Sequence, residues 1–493
     1  MNALPERLYS PDQVRELDRR TIEGHGIPGY TLMTRAGEFT YRAIRERWGA
    51  MRLTVFCGAG NNAGDGYVIA RLALESGAGA EVLHLVDPDK LVGDAARAAA
   101  DFSASGGTHR TFEPGMEIGD TVVVDALLGT GIDREVSGRF AEAVNAINAA
   151  ECPVCAVDVP SGLSADTGQV LGVAVKADMT ASFVGMKAGL LTGSGPACCG
   201  TVLYDSLGAP DDVFEGMPVK ARRITGAELP TLLPHRPGDA HKGLYGHVLI
   251  IGGGPGMPGA ARMAGEAALR AGAGLVSIAT RPEHIAAIVA GRPELMCKGV
   301  ETAADLAPML ERATIVALGP GLGQSHWSRS LHEMAMASDL PLVVDADGLN
   351  LLAEAPAARG NWILTPHPGE ASRLLRQDTA SIQSDRFSAV TGLAERYLAV
   401  AVLKGAGSLV AAPGEGIALC DAGNPGMAVA GMGDVLTGLI AGIAAQIDDL
   451  YAAARLAVLV HGLAGDDASA AGERGMLASD LFTAVRSRIN PRC

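Results

Sequence analysis

Short apolar runs, glycine-containing loops and amphipathic segments follow one another in a regular order along the first half of the chain. The run LTVFCG is followed by AGNNAGDG, YVIARLALESG and AEVLHLV, which predicts a strand, a loop, a helix and a second strand. Two later runs, TVVVDALLGTG and CAVDVPSGL, also pass from apolar residues into polar loops. Continuous apolar runs of this kind are typical of parallel strands that are covered on both faces.

The second half repeats this order after an irregular segment. HVLIIGG reads as a strand, residues 259–271 as a helix and GLVSIAT as a strand, and further strand–loop pairs are ATIVALGPG, LPLVVDADG, WILTPHPG and LAVAVLKGAG. The intervening residues 208–242 are rich in Pro, Gly and charged side chains and lack a hydrophobic period. We therefore predict two α/β domains, residues 1–220 and 221–493.

Composition narrows the possible partners. The formal net charge of −15 disfavours a nucleic-acid partner, since phosphate backbones bind basic faces. The polar start of the chain lacks the apolar core of a secretory signal, and Asp434 interrupts the most membrane-like stretch, residues 426–447. The expectation is a cytoplasmic protein with no membrane or nucleic-acid partner.

Cys152 and Cys155 have the CxxC spacing of redox and metal sites. The pair lies at the start of an apolar run rather than at a helix start, and no second CxxC follows. We interpret these cysteines as buried structural thiols.

Polar residues at strand ends are the candidate site of the first half, because ligands of open α/β sheets bind beyond the carboxyl ends of the strands. The segment Asn61–Gly66 combines glycines with polar side chains at a predicted helix start, where backbone N–H groups are free. Asp125 and Asp158 end two other predicted strands, which suggests acid–base chemistry or cation binding. The alternative for all of these side chains is turn or helix capping.

A dinucleotide-type motif, GxGxxG, occupies positions 254, 256 and 259, between a predicted strand and a predicted helix. Pro255 and Pro258 remove backbone N–H groups from this loop, and the next strand ends in Thr280 and Arg281 rather than in an acidic residue. These departures disfavour a conventional nicotinamide dehydrogenase.

The segment GNPGMAVAGMGDVLTG, residues 423–438, is the strongest local signal. Gly433 and Asp434 stand at a predicted helix start, where free N–H groups can hold a phosphoryl group and a carboxylate can take a proton from an attacking hydroxyl. The loops KGAGS, with Lys404, and TPHPGE, with His367, also suit a nucleotide site. The alternatives are an ordinary N-cap for Asp434 and a structural role for His367. No Walker motif is present.

These motifs together resemble those of the bifunctional NAD(P)H-hydrate repair enzymes. The likeness rests on LMTRAG, Asn-Asn-x-Gly-Asp-Gly, VVDALLGTGIDRE and VDVPSGL in the first half, and on GGPGMPGAA, GPGLG, DADGLN, TPHPGE, KGAGS and GNPGMAVAGMGDVLTG in the second. It implies an N-terminal Rossmann-like α-β-α sandwich with epimerase activity and a C-terminal ribokinase-like α/β domain with dehydratase activity. Ala63 departs from the glycine that members often carry.

The resemblance also implies site residues. Asp158 and Asp434 would be catalytic, and a K⁺ ion would be held by Asn62, Asp125 and Ser161. The hydrated nucleotide would be bound in the first half by Asn61, Asn62, Ala63, Gly64, Asp65, Gly129, Thr130, Gly131, Ile132, Asp133, Arg134, Glu135 and Asp158. In the second half it would be bound by Ala260, Gly323, His367 and Asp434, and the adenine nucleotide by Lys404, Gly405, Ala406, Gly407, Ser408 and Gly433.

The implied activity is repair of hydrated NADH and NADPH. The first half would interconvert the R and S hydrates, and the second would dehydrate the S form, with ADP as phosphoryl donor and Mg²⁺ as its companion. A homo-oligomer is expected. The rival hypothesis is a ribokinase-type small-molecule kinase with a non-catalytic N-terminal binding domain.

Overall fold

The chain divides into two units, Met1–Arg222 and Arg223–Cys493, and each contains a large sheet. A computed structural model describes residues 4–233 and 235–490. The strands of the first unit are β1 (Arg7–Leu8), β2 (Leu53–Cys57), β3 (Ala80–His84), β4 (Thr108–Thr111), β5 (Val122–Ala126), β6 (Val154–Val157), β7 (Met179–Phe183) and β8 (Thr201–Asp205). Strand β9 (Ala221–Arg223) spans the boundary between the units. The short strands β1 and β9 pair antiparallel.

Seven strands of the first unit form an entirely parallel sheet in the order β4-β3-β2-β5-β6-β7-β8. The chain reverses its direction of travel across the sheet between β2 and β5, which creates a crevice beyond their carboxyl ends. The helices are α1 (Pro11–Arg19), α2 (Gly29–Trp48), α3 (Asn61–Glu75), α4 (Gly93–Ala104), α5 (Gly138–Ala149) and α6 (Gly195–Cys199).

Helices cover both faces of this sheet. Val55 and Val124 belong to a core shared with α2, α3 and α4, whereas Phe56 and Val123 belong to a second core shared with α5. Successive strand residues therefore point into different cores, as the two-residue period of a strand requires. All residues of β2 and β5 are buried, which confirms the α-β-α sandwich predicted from the continuous apolar runs.

The second unit has a nine-stranded arrangement in the order β18-β17-β16-β15-β14-β13-β10-β11-β12. The pairings are parallel from β12 to β16, and the last two are antiparallel. The strands are β10 (His247–Ile251), β11 (Leu275–Thr280), β12 (Met296–Gly299), β13 (Ile315–Leu318), β14 (Leu342–Val344), β15 (Trp362–Leu364), β16 (Val400–Leu403), β17 (Ser408–Ala411) and β18 (Ala418–Cys420).

Helices again lie on both faces of the sheet. One core joins Val248, Ile250 and Ile363 to α8, α16 and α17, whereas Trp362 donates a hydrogen bond to the carbonyl of Tyr397 in α15. The helices are α7 (Leu229–Leu232), α8 (Pro258–Arg270), α9 (Ile285–Gly291), α10 (Ala307–Leu310), α11 (His326–Met336), α12 (Asp347–Glu354), α13 (Pro368–Leu375), α14 (Thr379–Ser384), α15 (Arg386–Tyr397), α16 (Met432–Ala444), α17 (Leu450–Ser469) and α18 (Leu481–Arg488).

One local prediction was wrong. The segment Asn61–Gly66 was predicted to be a loop that leads into a helix beginning at Tyr67, but helix α3 already begins at Asn61. Its glycines serve close packing: a Cβ on Gly64 would lie 2.5 Å from the Met33 Cε atom, and one on Gly66 2.6 Å from the Ala126 Cβ atom. The periodicity of the following apolar residues did not extend into this glycine-rich first turn, so sequence reasoning started the helix too late.

Two further expectations concern membranes and thiols. Within residues 4–233 and 235–490, no helix combines the length and the apolar character that crossing a bilayer requires. Cys155 is buried, but Cys152 is only half-buried and its Sγ atom lies 3.2 Å from the Gly119 carbonyl oxygen. The prediction of a buried thiol was therefore wrong for Cys152, because it precedes strand β6 at the edge of the core.

Candidate active sites

A cavity of about 1010 Å³ opens at the reversal point of the first unit. Its walls come from helix α1 and from the loops that follow β2, β5 and β6. The predicted hydrate-binding residues that line it are Asn61, Asn62, Asp65, Gly129, Thr130, Gly131, Ile132, Asp133, Arg134, Glu135 and Asp158. Such a cavity is large enough for a nucleotide-sized ligand.

Two residues of the predicted set do not line the cavity. Ala63 is fully buried in the hydrophobic core, and Gly64 packs against the side chain of Met33. Because Ala63 and Gly64 pack inward, they anchor the first turn of α3, and this turn positions Asn62 and Asp65 at the cavity wall.

Asn62, Asp125 and Ser161 form a cluster around the backbone of Leu128. The Asn62 Nδ2 atom donates to the Leu128 carbonyl oxygen at 3.1 Å, and Ser161 Oγ lies 2.6 Å from Asp125 Oδ1 and accepts from the Leu128 N–H at 2.9 Å. Burial raises the pKa of Asp125 to about 6. The Asn62 Oδ1 atom is buried without a hydrogen-bond partner among the described residues. An unsatisfied oxygen beside a carboxylate and a hydroxyl fits a cation ligand set.

Asp158 follows β6 and is held in an unusual backbone conformation, with φ of 64°. Its Oδ1 atom forms a close ion pair with the Nζ atom of Lys187, whose side chain is 1% exposed. The same ammonium donates to the Phe183 carbonyl oxygen at 2.8 Å. Strained backbone at a cavity wall persists only where surrounding contacts hold it, and it is concentrated at functional sites.

Two more carboxylates surround this pair. Desolvation raises the pKa of Asp65 well above its usual range, and Asp158 and Asp18 raise it further. Burial also raises the pKa of Asp18 to about 6, partly opposed by Lys187. The cavity therefore holds one buried ammonium facing three carboxyl groups, two of which bind their protons more tightly than ordinary aspartates do.

The loops of the second unit also meet at the carboxyl ends of its parallel strands. The Gly254 N–H donates to the Gly321 carbonyl oxygen at 2.6 Å, which joins the loop after β10 to the loop after β13. Ala260 lies in the first turn of α8, and a Cβ on Gly321 would lie 3.0 Å from its own Cβ atom. The Gly323 N–H donates to Asp347 Oδ2 at 2.8 Å. These contacts bring the predicted position Ala260, at the start of α8, close to the loop after β13 that contains Gly323.

Asp434 lies in the first turn of α16, after Gly431, whose φ of 94° favours glycine. Burial raises the pKa of Asp434 to about 7; the charge of Asp345 adds to this and that of Lys404 opposes it. The Lys404 Nζ atom lies 2.6 Å from Asp345 Oδ1, and a Cβ on Gly433 would lie 3.4 Å from the same Nζ atom. The start of α16, the Lys404 ammonium and the Asp434 carboxylate therefore lie close together. This is an arrangement that suits phosphoryl transfer.

His367 caps helix α13. Its Nδ1 atom accepts from the Gly369 N–H at 2.9 Å, and Glu370 accepts from the His367 N–H at 2.8 Å. Glu370 Oε2 also lies 3.8 Å from the Lys404 ammonium. The His367 side chain is half-exposed, and its Nε2 atom lies 3.5 Å from Glu370 Oε1.

The KGAGS loop is shaped by a residue that sequence reasoning missed. Arg386 is 1% exposed and donates to the carbonyl oxygens of Leu403, Lys404 and Gly407 at 3.2 to 3.4 Å. The Ser408 hydroxyl donates to the Gly405 carbonyl oxygen at 3.0 Å, so the predicted positions Lys404–Ser408 form one tight loop. Arg386 stands at a helix start in no recognisable motif, and sequence patterns gave no signal for it.

Lys187 and Asp345 were missed for different reasons. Lys187 lies in SFVGMKAGL, where a single lysine among apolar residues has no diagnostic spacing. Asp345 belongs to the DADGLN motif, and an acidic residue at a strand end was a signal that could have found it. Within the part of the chain that the structure describes, there is no group of three or more His, Cys, Asp or Glu residues arranged to hold a metal ion.

Comparisons with known proteins agree with this arrangement. Residues 29–189 match the family model described as YjeF-related protein N-terminus, and residues 248–487 match the model described as NAD(P)H-hydrate dehydratase. The bifunctional NAD(P)H-hydrate repair enzyme Nnr of Coxiella burnetii is 49% identical over 98% of this chain and 99% of its own length. The enzyme of the same name from Escherichia coli is 42% identical over 99% of this chain and 95% of its own length.

A solved structure supports the fold of the second unit. A ribokinase-like superfamily protein of Enterococcus faecalis is 27% identical, with a TM-score of 0.52, and the match covers 55% of this chain and 95% of that protein. This likeness confirms the ribokinase-like prediction. Because full-length relatives match both units in one chain, the protein belongs to the family of bifunctional NAD(P)H-hydrate repair enzymes.

Proposed function

We propose that the chain repairs hydrated NADH and NADPH in two steps. The first unit, assigned as residues 1–220, interconverts the R and S hydrates. The second, assigned as residues 221–493, dehydrates the S hydrate with ADP and yields NAD(P)H, AMP and phosphate. The names of the full-length relatives support this assignment over a small-molecule kinase with an inert N-terminal domain.

The second-unit site carries the proposal, because Asp434 stands at a helix start beside the Lys404 ammonium. Asp434 takes the proton of the hydrate hydroxyl, and that oxygen attacks the terminal phosphorus of ADP as the bond to AMP breaks. The α16 N–H groups and Lys404 stabilise the charge on the transferred phosphoryl group. Phosphate then leaves the ring carbon as a proton is lost from the neighbouring carbon, which restores the dihydronicotinamide.

We propose ligand positions at the loops of this edge of the second unit. We assign the hydrate to Ala260, Gly323, His367 and Asp434. We assign the adenine nucleotide to Gly433 and to the Lys404–Ser408 loop, which the buried Arg386 holds in shape.

The first-unit reaction needs acid–base groups on a hydroxyl-bearing ring carbon. Asp158 moves the hydroxyl proton to the ring nitrogen as the bond between that nitrogen and the ring carbon breaks, which leaves an aldehyde and an N–H group. It moves the proton back to the oxygen when the ring closes on the other face of the aldehyde. The buried Lys187 ammonium orients the Asp158 carboxylate. The glycine-containing loop 129–135 and Asn61 to Asp65 hold the nucleotide at the cavity wall. Helix N-termini and loop N–H groups supply phosphate contacts without a net positive charge.

Two ions accompany these steps. The residues present fit K⁺, because Asn62 Oδ1, near Asp125 and Ser161, has no hydrogen-bond partner among the described residues. Bound there, K⁺ would offset the carboxylate charge near an anionic substrate. Mg²⁺ would reach the second site on the phosphates of ADP, as is usual for this ion.

Incubation with mixed R and S hydrates tests the proposal. Full-length protein with ADP should consume both hydrates and restore the near-ultraviolet absorbance of dihydronicotinamide. Without ADP it should only interconvert them, which chiral chromatography resolves. Stoichiometric phosphorylation of another alcohol by ATP, with no hydrate consumed, would support the kinase instead.

A chain of residues 223–493 tests the division of labour. It should dehydrate the S hydrate and leave the R hydrate, apart from its spontaneous conversion. Equal consumption of both hydrates would contradict the assignment. We also propose a cytoplasmic homo-oligomer, which light scattering of the purified protein and fractionation of cells would test.

A further inference from the structure

Asp345 connects three elements of the second unit, although it is not among the proposed catalytic and binding residues. Its side chain is 2% exposed, at the end of β14. Oδ1 lies 2.6 Å from the Lys404 ammonium after β16, and Oδ2 accepts from the Thr437 hydroxyl of α16 at 2.7 Å. One buried carboxylate thus holds both the ammonium and the helix that carries Asp434.

The backbone beside Asp345 is strained. Ala346 has φ of 48° and ψ of −119°, a region that residues with a Cβ atom rarely occupy. The turn directs Asp345 toward Lys404, while Asp347, two residues later, accepts from the Gly323 N–H. Strain of this kind survives where surrounding contacts over-determine it, which is typical of functional sites.

The charges that face Asp434 are few. Asp345 and Lys404 act on it directly, and Glu370 contacts Lys404 from the far side at 3.8 Å. His461 of α17 lies near the Met432 backbone at the same helix start, and burial lowers its pKa to about 4, so it carries no charge near neutral pH. Asp345 is therefore the negative charge that balances Lys404 in front of Asp434.

We propose that Asp345 is a positioning residue for phosphoryl transfer, which fixes the Lys404 ammonium beside the α16 start and whose negative charge counteracts the stabilisation of the Asp434 carboxylate by that ammonium. Asp434 can then accept a proton near neutral pH, while Lys404 remains available to the transferred phosphoryl group. This inference rests on the proposed dehydration with ADP. It predicts that removal of the Asp345 charge changes the pH dependence of the reaction.

Matched full-length variants test the inference. Asp345→Asn and Glu370→Gln each remove one negative charge from Lys404, but only Asp345 acts on Asp434. Thr437→Val removes the helix contact and leaves both charges. The measurement is the pH profile of kcat/KM for the S hydrate with ADP. Asp345→Asn should move the acid limb lower by about one pH unit or more and lower kcat, since a like charge is lost.

The two controls decide the outcome. Glu370→Gln and Thr437→Val should keep the wild-type acid limb, whatever their effect on KM. Ionisation of ADP is common to all the proteins, so differences between their profiles report on the protein. An unmoved limb in Asp345→Asn, or an equal shift in Glu370→Gln, would overturn the inference.

A second measurement applies even where Asp345→Asn does not fold. Infrared difference spectra of nucleotide-free wild type against Asp434→Asn isolate the Asp434 carboxyl band, whose midpoint should lie near pH 7. A midpoint near the ordinary value of 3.8 would overturn the inference. Failure of the proposed function is a separate result, since wild-type protein would then not dehydrate the S hydrate with ADP at any pH.

Discussion

The two units pair an aspartate with a lysine at the carboxyl edge of a parallel sheet, but they connect these groups differently. In the first unit Lys187 contacts Asp158 itself. In the second Lys404 contacts Asp345, and the candidate base Asp434 stands next to that pair. The same residue types therefore give a directly paired carboxylate in one site and a carboxylate that holds its proton up to about pH 7 in the other.

The position of the raised pKa values follows this difference. In the first unit they belong to Asp18 and Asp65, which surround the ion pair. In the second the raised pKa belongs to Asp434, because burial and Asp345 outweigh the opposing effect of Lys404. The comparison teaches that burial, together with the partner that the lysine contacts, decides which neighbouring carboxylate has a raised pKa.

Asp434→Asn should have the largest effect. It keeps the size of the side chain but removes the base, so dehydration of the S hydrate should fall by a factor of about 10² to 10⁴. Epimerisation by the same chain serves as the control and should persist. The measurement is recovery of dihydronicotinamide absorbance with ADP, and near-normal turnover would remove Asp434 from the mechanism.

Asp158→Asn is the corresponding change in the first unit. Epimerisation should fall by a factor of about 10² to 10⁴, whereas hydrate binding should largely persist because the amide preserves size and hydrogen bonding. Chiral chromatography in an Asp434→Asn background measures the R-to-S conversion without further reaction. Conversion well above the spontaneous rate would exclude Asp158 as the acid–base group.

Lys187→Met should lower stability as well as activity. Removing the buried ammonium leaves Asp158 without its ion-pair partner, and breaking such a pair costs about 3 kcal/mol. Chemical denaturation should show this loss in the first unit, while dehydration of pure S hydrate should continue. Addition of Asp158→Asn to Lys187→Met should recover part of the stability; equal stability of wild type and Lys187→Met would contradict a direct pair.

Ala63→Gly should have the smallest effect. Ala63 lies in the first turn of α3 with its methyl group buried, so a glycine there should cost about 1 kcal/mol of stability through backbone freedom and lost contact. The epimerase rate should hardly change, because this side chain does not line the cavity. Thermal unfolding and the epimerase assay check both parts, and a large gain in epimerase rate would show that the methyl group crowds the site.

The sequence by itself determined the two α/β units and the loops that carry their chemistry. Continuous apolar runs can be buried only between two helical layers, and the polar residues that follow them must then gather at one edge of a parallel sheet. Asn62, Asp125, Ser161 and Asp434 could be proposed on this basis, together with the family resemblance. The first turn of α3 was not predicted as helix, because its glycines are locally typical of a loop.

Only the tertiary structure decided which charges meet. Asp345 and Thr437 are separated by 92 positions and Asp345 and Lys404 by 59, and no local period specifies such pairs. They meet because β14 and β16 present their carboxyl ends to the start of α16, which strand order determines. Burial, which shifts the pKa of Asp434, likewise belongs to the packed fold, since the same carboxylate in an extended chain would be surrounded by water.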